Sequence, residues 1–599
     1  MPGKTLDLDD VITRDNLGCR ISNYWLEWNQ RRQDWINQKR ELREYIYATD
    51  TSQTSNSQLP WSNKTTVPKL TQIRDNLYAN YIATMFPKRR WLNWEGADKK
   101  DETKRKVRAI KDYMTWAVSQ NEFKREVEKL VLDYIDYGNC FATVEWVDKT
   151  FYKSSTGLSK PGYVGPRLVR LSPLDLVMNP TAPDFRSSPK IVRMLTNMGE
   201  AEEMLQRFTA DEVDKELARN VLDYCKSIRS SISEFGSVEL VEKDQYFQVD
   251  GFTSFRDYLN SDVVELLFFY GDIYNTETGE FKKNHMLVVI DRHKVIYDKQ
   301  HPYPLAEIPI YHAGWRVRQD NLWAMGPLDN LVGMQYRLDH IENMKADVFD
   351  LVTFPPLKIK GMVNDFTWGP MEKIFVDADG DVELMSPDVQ ALQANVEMAA
   401  IEQRMEEMAG SPKEAMGFRT PGEKTAYEVQ RLENAASRIF QNKIAQFEEQ
   451  ILEPILNAML VLAQNHLDDV TIRVLEDEFR SVDFRSITKD QISANGQIKP
   501  VAARSFAERA ELVQNMTNFY GSAIGQDPNV KVHFSGVKTA QMMEELLDIE
   551  RYELFQPFVQ IHEQAEAQQQ ANTQQEETVN TAQTPAGLSP EDFSNPSPV

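Results

Sequence analysis

WAMGPLDNLVGMQYRLDHIENMKADVFDLVTFPPL, residues 323–357, carries the pattern on which the fold turns. Met334, Leu338, Ile341, Val348 and Val352 recur at helical spacing, which draws one apolar stripe along a helix led in through Gly326-Pro327. Phe354-Pro355-Pro356 ends it, because proline confines the residue before it to extended backbone and brings no donor of its own. Residues 357–385 then read as a compact β-unit. Leu357-Lys358-Ile359 and Lys373-Ile374-Phe375-Val376 alternate like strands, and Asp379-Gly380 marks a tight turn before Val382-Glu383-Leu384. A second helix opens at Ser386-Pro387-Asp388, with serine as N-cap and proline in the first helical position, and runs to about Ala409.

Gly410-Ser411-Pro412 stops that helix, and residues 413–423 form a polar loop. From Thr425 to Leu467, apolar residues at Leu432, Ala436, Ile439, Ile444, Phe447, Ile451, Ile455, Met459 and Leu462 predict a helix of about forty residues, roughly 60 Å long, kinked at Pro454. A rod of that length carrying Leu432, Phe440 and Phe447 is expected to bury them against the body and neighbouring subunits.

A chain of 599 residues with 41% hydrophobic composition has material for several domains. A formal charge of −23 argues against nucleic acid coating the outside, since DNA affinity comes largely from cations that neutralise phosphates. Three widely spaced cysteines, Cys19, Cys140 and Cys225, provide neither a disulfide framework nor a CxxC metal site and suit a reducing compartment. No apolar run is long enough to span a bilayer, and residues 1–10 lack the organisation of a signal peptide.

Trp25, Trp28, Trp35, Ile36 and Leu42 predict an amphipathic helix from Ser22 to about Tyr47. Helices follow over 69–85, 104–118 and 122–137, then strands to about Leu171. Basic clusters at 88–90 and 104–108 next to Trp91 and Trp94 raise a base-stacking reading, but acidic neighbours favour a solvated face. Helix is expected over 199–230, strand at 238–241, and a long hairpin from 263–273 to 286–290. Past the long helix, 470–474 reads as a strand and 502–523 and 539–562 as helices. Gln, Ala, Thr, Asn and Pro dominate from 563 onward, a composition of disorder or conditional helix.

No catalytic constellation emerges. Gly417 to Thr425 has phosphate-loop glycine spacing, but Glu423 stands where lysine is required and no strand precedes it. Asp377, Asp379 and Asp381 resemble the start of a calcium loop, yet glycine falls at the wrong position, so a hairpin turn fits better. The histidines form no HExxH, and His312 and His340 read as core or interface residues. No cofactor is implied.

Gly422-Glu423-Lys424-Thr425-Ala426-Tyr427-Glu428-Val429, followed by Phe447-Glu448-Glu449-Gln450-Ile451-Leu452-Glu453-Pro454-Ile455-Leu456, resembles a passage of the portal proteins, the head-to-tail connectors of tailed bacteriophages, particularly the short-tailed ones. Tyr137-Gly138-Asn139-Cys140, Leu171-Ser172-Pro173-Leu174-Asp175-Leu176-Val177-Met178-Asn179-Pro180 and Gly326-Pro327-Leu328 are similar to further passages of that family, in the same order. The resemblance implies an α+β, portal-type ring subunit. Its parts would be a wing (1–324), stem helix 1 (325–352), a small β-containing clip (353–386), stem helix 2 (387–410), a tunnel loop (411–424), a long helix and strand returning to the wing (425–489), a helical crown (490–562) and a Gln-rich tail (563–599).

It further implies a dodecamer at the capsid vertex of the virion, assembled in the host cytoplasm, through which double-stranded DNA is packaged and ejected. The implied partners are the terminase large subunit, the major capsid and scaffolding proteins and a tail adaptor, with no membrane. Lys413, Arg419 and Lys424 would face the DNA channel and Glu402, Glu406 and Glu407 an acidic stem wall. Lys358, Lys360, Asp365, Trp368 and Lys373 would dock motor and tail. The competing reading is an acidic cytoplasmic homo-oligomeric scaffold or adaptor without a channel.

Overall fold

The computed structural model describes residues 6–7, 14–47, 60–86, 91–96, 101–120, 122–151, 160–179, 182–197, 199–201, 263–274, 279–290, 294–300, 308–361, 381–385, 393–409, 440–467, 470–476, 481–494 and 496–500, with isolated positions elsewhere. The expected elements over 199–230, 238–241, 502–523 and 539–562, the 563–599 tail and the 425–439 stretch of the long helix lie outside these residues, wholly or nearly so. The chain divides into two compact units, Met1–Ala502 and Ala503–Val599.

The first unit is a mixed α+β body. Strands β1 (Leu6–Asp7), β5 (Leu176–Met178), β6 (Lys190–Asn197), β7 (Val263–Tyr274), β8 (Phe281–Ile290) and β9 (Lys294–Gln300) form one sheet in the order β5-β6-β7-β8-β9, with β1 added in parallel to β7. The β7–β8 hairpin matches the one read from sequence. Because side chains alternate across a strand, the unbroken apolar run in β7 fills two cores at once. Val264, Leu266 and Phe268 join Val192, Met286 and Val288 on one face. Leu267 and Phe269 join Leu287 and Val289 on the other, where α1 (Arg14–Arg31) lays Leu17, Ile21 and Trp25.

The single N-terminal helix expected from Ser22 starts earlier and is broken at Arg32, which separates α1 from α2 (Gln33–Tyr47). The break has a visible cause. Arg32 is buried, with its guanidinium donating to the carbonyls of Pro173 (2.7 Å) and Leu176 (2.6 Å) and also to that of Leu174. The Ser172-Pro173-Leu174-Asp175 passage is thus held by an arginine more than a hundred residues away, and its Asp175 is paired with Arg193 at 3.1 Å.

The largest core gathers α2, α3 (Lys69–Met85), α4 (Asp101–Gln120), α5 (Phe123–Asp136) and the sheet of β3 (Asn139–Phe151), β4 (Lys160–Leu171) and β10 (Ile310–Gly314) around the described part of the long helix. Trp91 and Trp94, flanking and within β2 (Leu92–Gly96), are buried in it, so their faces are closed to nucleic-acid bases. β11 (Arg316–Arg318) and β12 (Asn321–Met325) form a hairpin leading to a 3₁₀ turn at Asp329–Leu331 and α6 (Val332–Thr353). This helix therefore begins later than expected from Gly326-Pro327. Asp329 folds back to accept the Gly326 N–H at 2.8 Å and closes a turn first.

After α6 come β13 (Leu357–Lys360), β14 (Asp381–Leu384) and α7 (Asn395–Ala409). The long helix is described from Phe440 and becomes α8 (Glu453–His466) after a π turn at Glu448–Leu452. The irregularity expected at Pro454 thus falls just before it. The Glu453 N–H bonds Glu448 O, five residues back, and the following proline offers no N–H to restore the four-residue ladder. Phe447 is fully buried, edge-on to Tyr134 at 5.2 Å, and Phe440 packs edge-on to Tyr81 at 5.0 Å. This part of the helix is covered by its own chain, so the body alone supplies the contacts that were expected from the body and neighbouring subunits together. Leu432 lies outside the described residues.

β15 (Val470–Glu476) forms a hairpin with β16 (Ser481–Ile487). After a short turn of helix, α9 (Lys489–Ile492), β17 (Gly496–Pro500) pairs with β2. The start of the stretch assigned to a helical crown therefore belongs to the body as a strand. No helix among the described residues is long and apolar enough to cross a membrane.

Candidate assembly surface

α6 has two halves of opposite character. Toward its start Leu338 and Ile341 are buried, as the apolar stripe predicts. Toward its end the stripe runs out of the body: Val352 is exposed, and Phe349 and Phe354 are 61% and 60% exposed. The antiparallel pair β13–β14 is also largely exposed. Leu357 faces Leu384 and Ile359 faces Val382, the Met385 N–H donates to Pro356 O at 3.0 Å, and Ile359, Leu384 and Met385 remain exposed. α7 adds Val396, 81% exposed, and Met408. These aromatic and aliphatic side chains leave this end of α6, the β13–β14 pair and positions on α7 bare, and large exposed apolar patches are a feature of interaction sites.

The charged residues around it divide sharply. Lys358 pairs with Glu383 at 3.1 Å, both widely exposed, so the pair is screened and contributes little stability. Lys360 is exposed opposite Asp381 in the ladder. Glu407 is exposed and accepts from Gln403 at 2.9 Å. Glu406, expected on an acidic wall, is instead buried, with Lys69 Nζ at 2.6 Å, and Glu402 lies 3.4 Å from the same ammonium. The helical period explains the difference: 402 and 406 share the face that meets α3, while 407 is turned away from it. Lys413, Arg419, Lys424, Asp365, Trp368 and Lys373 lie outside the described residues.

Two kinds of contributor escaped the sequence reading. Lys69 is one residue of an ordinary helix start, and nothing local signals its long-range partner. Phe349 and Phe354 flank the recognised stripe; the signal was present in Phe349-Asp350-Leu351-Val352, too apolar for a helix end in water.

Two histidines among the described residues have defined packing partners. His312 is sandwiched between Phe141 (4.7 Å) and Phe185 (4.9 Å) with Nε2 3.0 Å from Asn139 Oδ1, and burial, helped by Lys190, drives its pKa down to about 3. His340 Nδ1 accepts from Trp61 Nε1 at 3.1 Å. A groove of about 940 Å³ beside the π turn is lined by Glu448, Glu449 and Glu453 together with Arg186 and Lys499. Among the described residues no three His, Cys, Asp or Glu side chains converge in a way that would hold a metal ion.

Compared with known protein families and with curated proteins, the chain matches none. Its functional reading therefore rests on its own residues. The helix, hairpin, helix projection is secured to the body at its base, by the buried half of α6 and the Glu406–Lys69 pair, and left bare at its far end.

Proposed function

We propose that this chain is the subunit of a portal-type ring that conducts double-stranded DNA through a capsid vertex, a structural rather than a catalytic role. In this reading α6 and α7 are the paired stem helices, the β13–β14 unit is the clip and the β5–β9 sheet with its helices is the wing. The observation that carries it is the bare apolar end of the helix pair. Phe349, Leu351, Val352 and Phe354, with Ile359, Leu384 and Met385 beyond them, are apolar side chains that one chain leaves in water and that side-by-side repetition would bury.

Net charge supports the same reading. A chain at −23 repeated around an axis gives DNA a repulsive wall, and the few cations of the tunnel loop, Lys413, Arg419 and Lys424, are proposed as its local counterweight. Lys358 and Lys360 on β13, with Asp365, Trp368 and Lys373 between β13 and β14 in the sequence, are proposed to meet the packaging motor and later the tail adaptor. Negative-stain imaging of the purified chain, with light scattering on the same sample, tests the assignment. Closed rings with a central hole are the expected result. A compact oligomer with no hole overturns it in favour of an acidic scaffold.

A further inference from the structure

Residues 60–69 touch both helices of the projection. On α6 the side chains of Gln335, Asp339, Asn343 and Asp347 stand at successive four-residue steps along one face, and every one binds the backbone of this segment. Asp347 accepts the N–H of Ser62 (2.7 Å) and of Asn63 (2.9 Å). Asn343 accepts the Thr65 N–H (2.7 Å) and donates to Thr65 O (3.0 Å). Asp339 accepts the Val67 N–H (2.8 Å) and Gln335 donates to Val67 O (2.6 Å). The Trp61 side chain reaches back along the helix, its Nε1–H donating to His340 Nδ1 at 3.1 Å.

The match is metrical. Two residues of extended chain advance about 6.6 Å and four residues of helix about 6 Å, so residues 63, 65 and 67 meet 347, 343 and 339 in turn, running antiparallel to the helix. Gln335, Asp339 and Asn343 are buried beneath the segment, and a buried amide or carboxylate without its partner would be destabilising. Two residues past Val67, the segment ends in Lys69, 4% exposed, whose ammonium holds Glu406 and Glu402 of α7. One stretch of ten residues is therefore hydrogen-bonded along α6 and ion-paired to α7.

We infer that residues 60–69 are a strap that couples the two helices: its grip on α6 sets the position of Lys69, and Lys69 holds α7. The device does not rest on the ring assignment, because it acts within one subunit and is read within one subunit.

Amide hydrogen exchange on the full chain tests it. The double substitution Asn63→Ala with Asp347→Ala removes strap bonds on half-buried or exposed groups without altering α7. The expected result is exchange faster by at least about fivefold, the scale of a single hydrogen bond where this variant removes four, both in residues 60–68 and in residues 395–409. Faster exchange confined to 60–68 overturns the coupling. Lys69→Met cuts the other end, and is expected to speed exchange in 395–409 with the helical content unchanged. No change in 395–409 in that variant likewise overturns the inference, whatever the double variant does.

Discussion

Lys190 Nζ lies 4.0 Å from the centroid of the Phe185 ring and donates a 2.8 Å hydrogen bond to that residue's own carbonyl. The lysine is fully buried on β6, and burial pulls its pKa from 10.5 down to about 7, against the opposing pull of Asp184 and with a smaller push from Arg186. His312, stacked on the other side of this cluster, is held neutral by the same burial. The seam between the large sheet and β10 is thus a place where neither base accepts a proton readily.

The sign of that shift sets the pH dependence. Above pH 10.5 Lys190 is neutral in both states and costs nothing. As pH falls from 10.5 toward 7 the unfolded chain takes up the proton and the folded chain does not, so stability declines over that window and levels off below it. Lys190→Met is expected to be more stable than the parent near pH 7 by a few kcal/mol, with the two curves converging near pH 10. Chemical denaturation at a series of pH values checks it; a constant difference across the range would show that Lys190 is charged throughout.

Glu448 gives the opposite slope. It begins the π turn, its Oε1 is buried without a hydrogen-bond partner, and burial raises its pKa from 4.5 to about 7. A carboxyl with a raised folded pKa favours the folded chain less as it ionises, so stability is lost as pH rises from about 4.5 to 7. Glu448→Gln is expected to stabilise by about 1–3 kcal/mol at pH 8 and to make little difference at pH 4. Thermal melts of both proteins at the two pH values decide it, and equal gains at both would assign the effect to packing.

Gly138 enters β3 at φ +71°, and a Cβ there would stand 2.3 Å from the Gly326 backbone nitrogen and 2.4 Å from Met325 C. Both faults fall on backbone, which has no rotamer to escape into. Gly138→Ala is expected to destabilise by more than about 3 kcal/mol, measured as a lower denaturation midpoint. Gly279→Ala, at φ +67° with nothing within 4 Å, is expected to cost only about 1 kcal/mol.

These positions show what the chain discloses locally and what it does not. Helix α3, the β7–β8 hairpin and the stripe on α6 are readable because each rests on periodicity within its own element. Arg32 breaking the first helix is not, since its reason is a set of carbonyls at 173–176. The same holds for Glu406, whose sequence context says exposed helix and whose environment is Lys69. The exposed end of α6 was half visible: the spacing that marks Val348 and Val352 as one face cannot say whether that face meets its own body or another chain.

Two side chains at that helix end separate the alternatives. Phe349 and Phe354 are its most exposed aromatic residues, and neither contributes to the core of the subunit. Replacing both with serine is therefore expected to leave the monomer's stability within about 0.5 kcal/mol of the parent. If this surface is where copies meet, each phenylalanine withdrawn from the contact removes about 1.5–3 kcal/mol of apolar burial at every interface, and closure of a ring repeats the loss at each one. On the proposed ring, the double variant is expected to sediment as monomer or open fragments at concentrations where the parent assembles. Parent-like assembly by Phe349→Ser/Phe354→Ser would place the subunit contact elsewhere, and a fall in monomer stability would show that the two rings pack within their own chain.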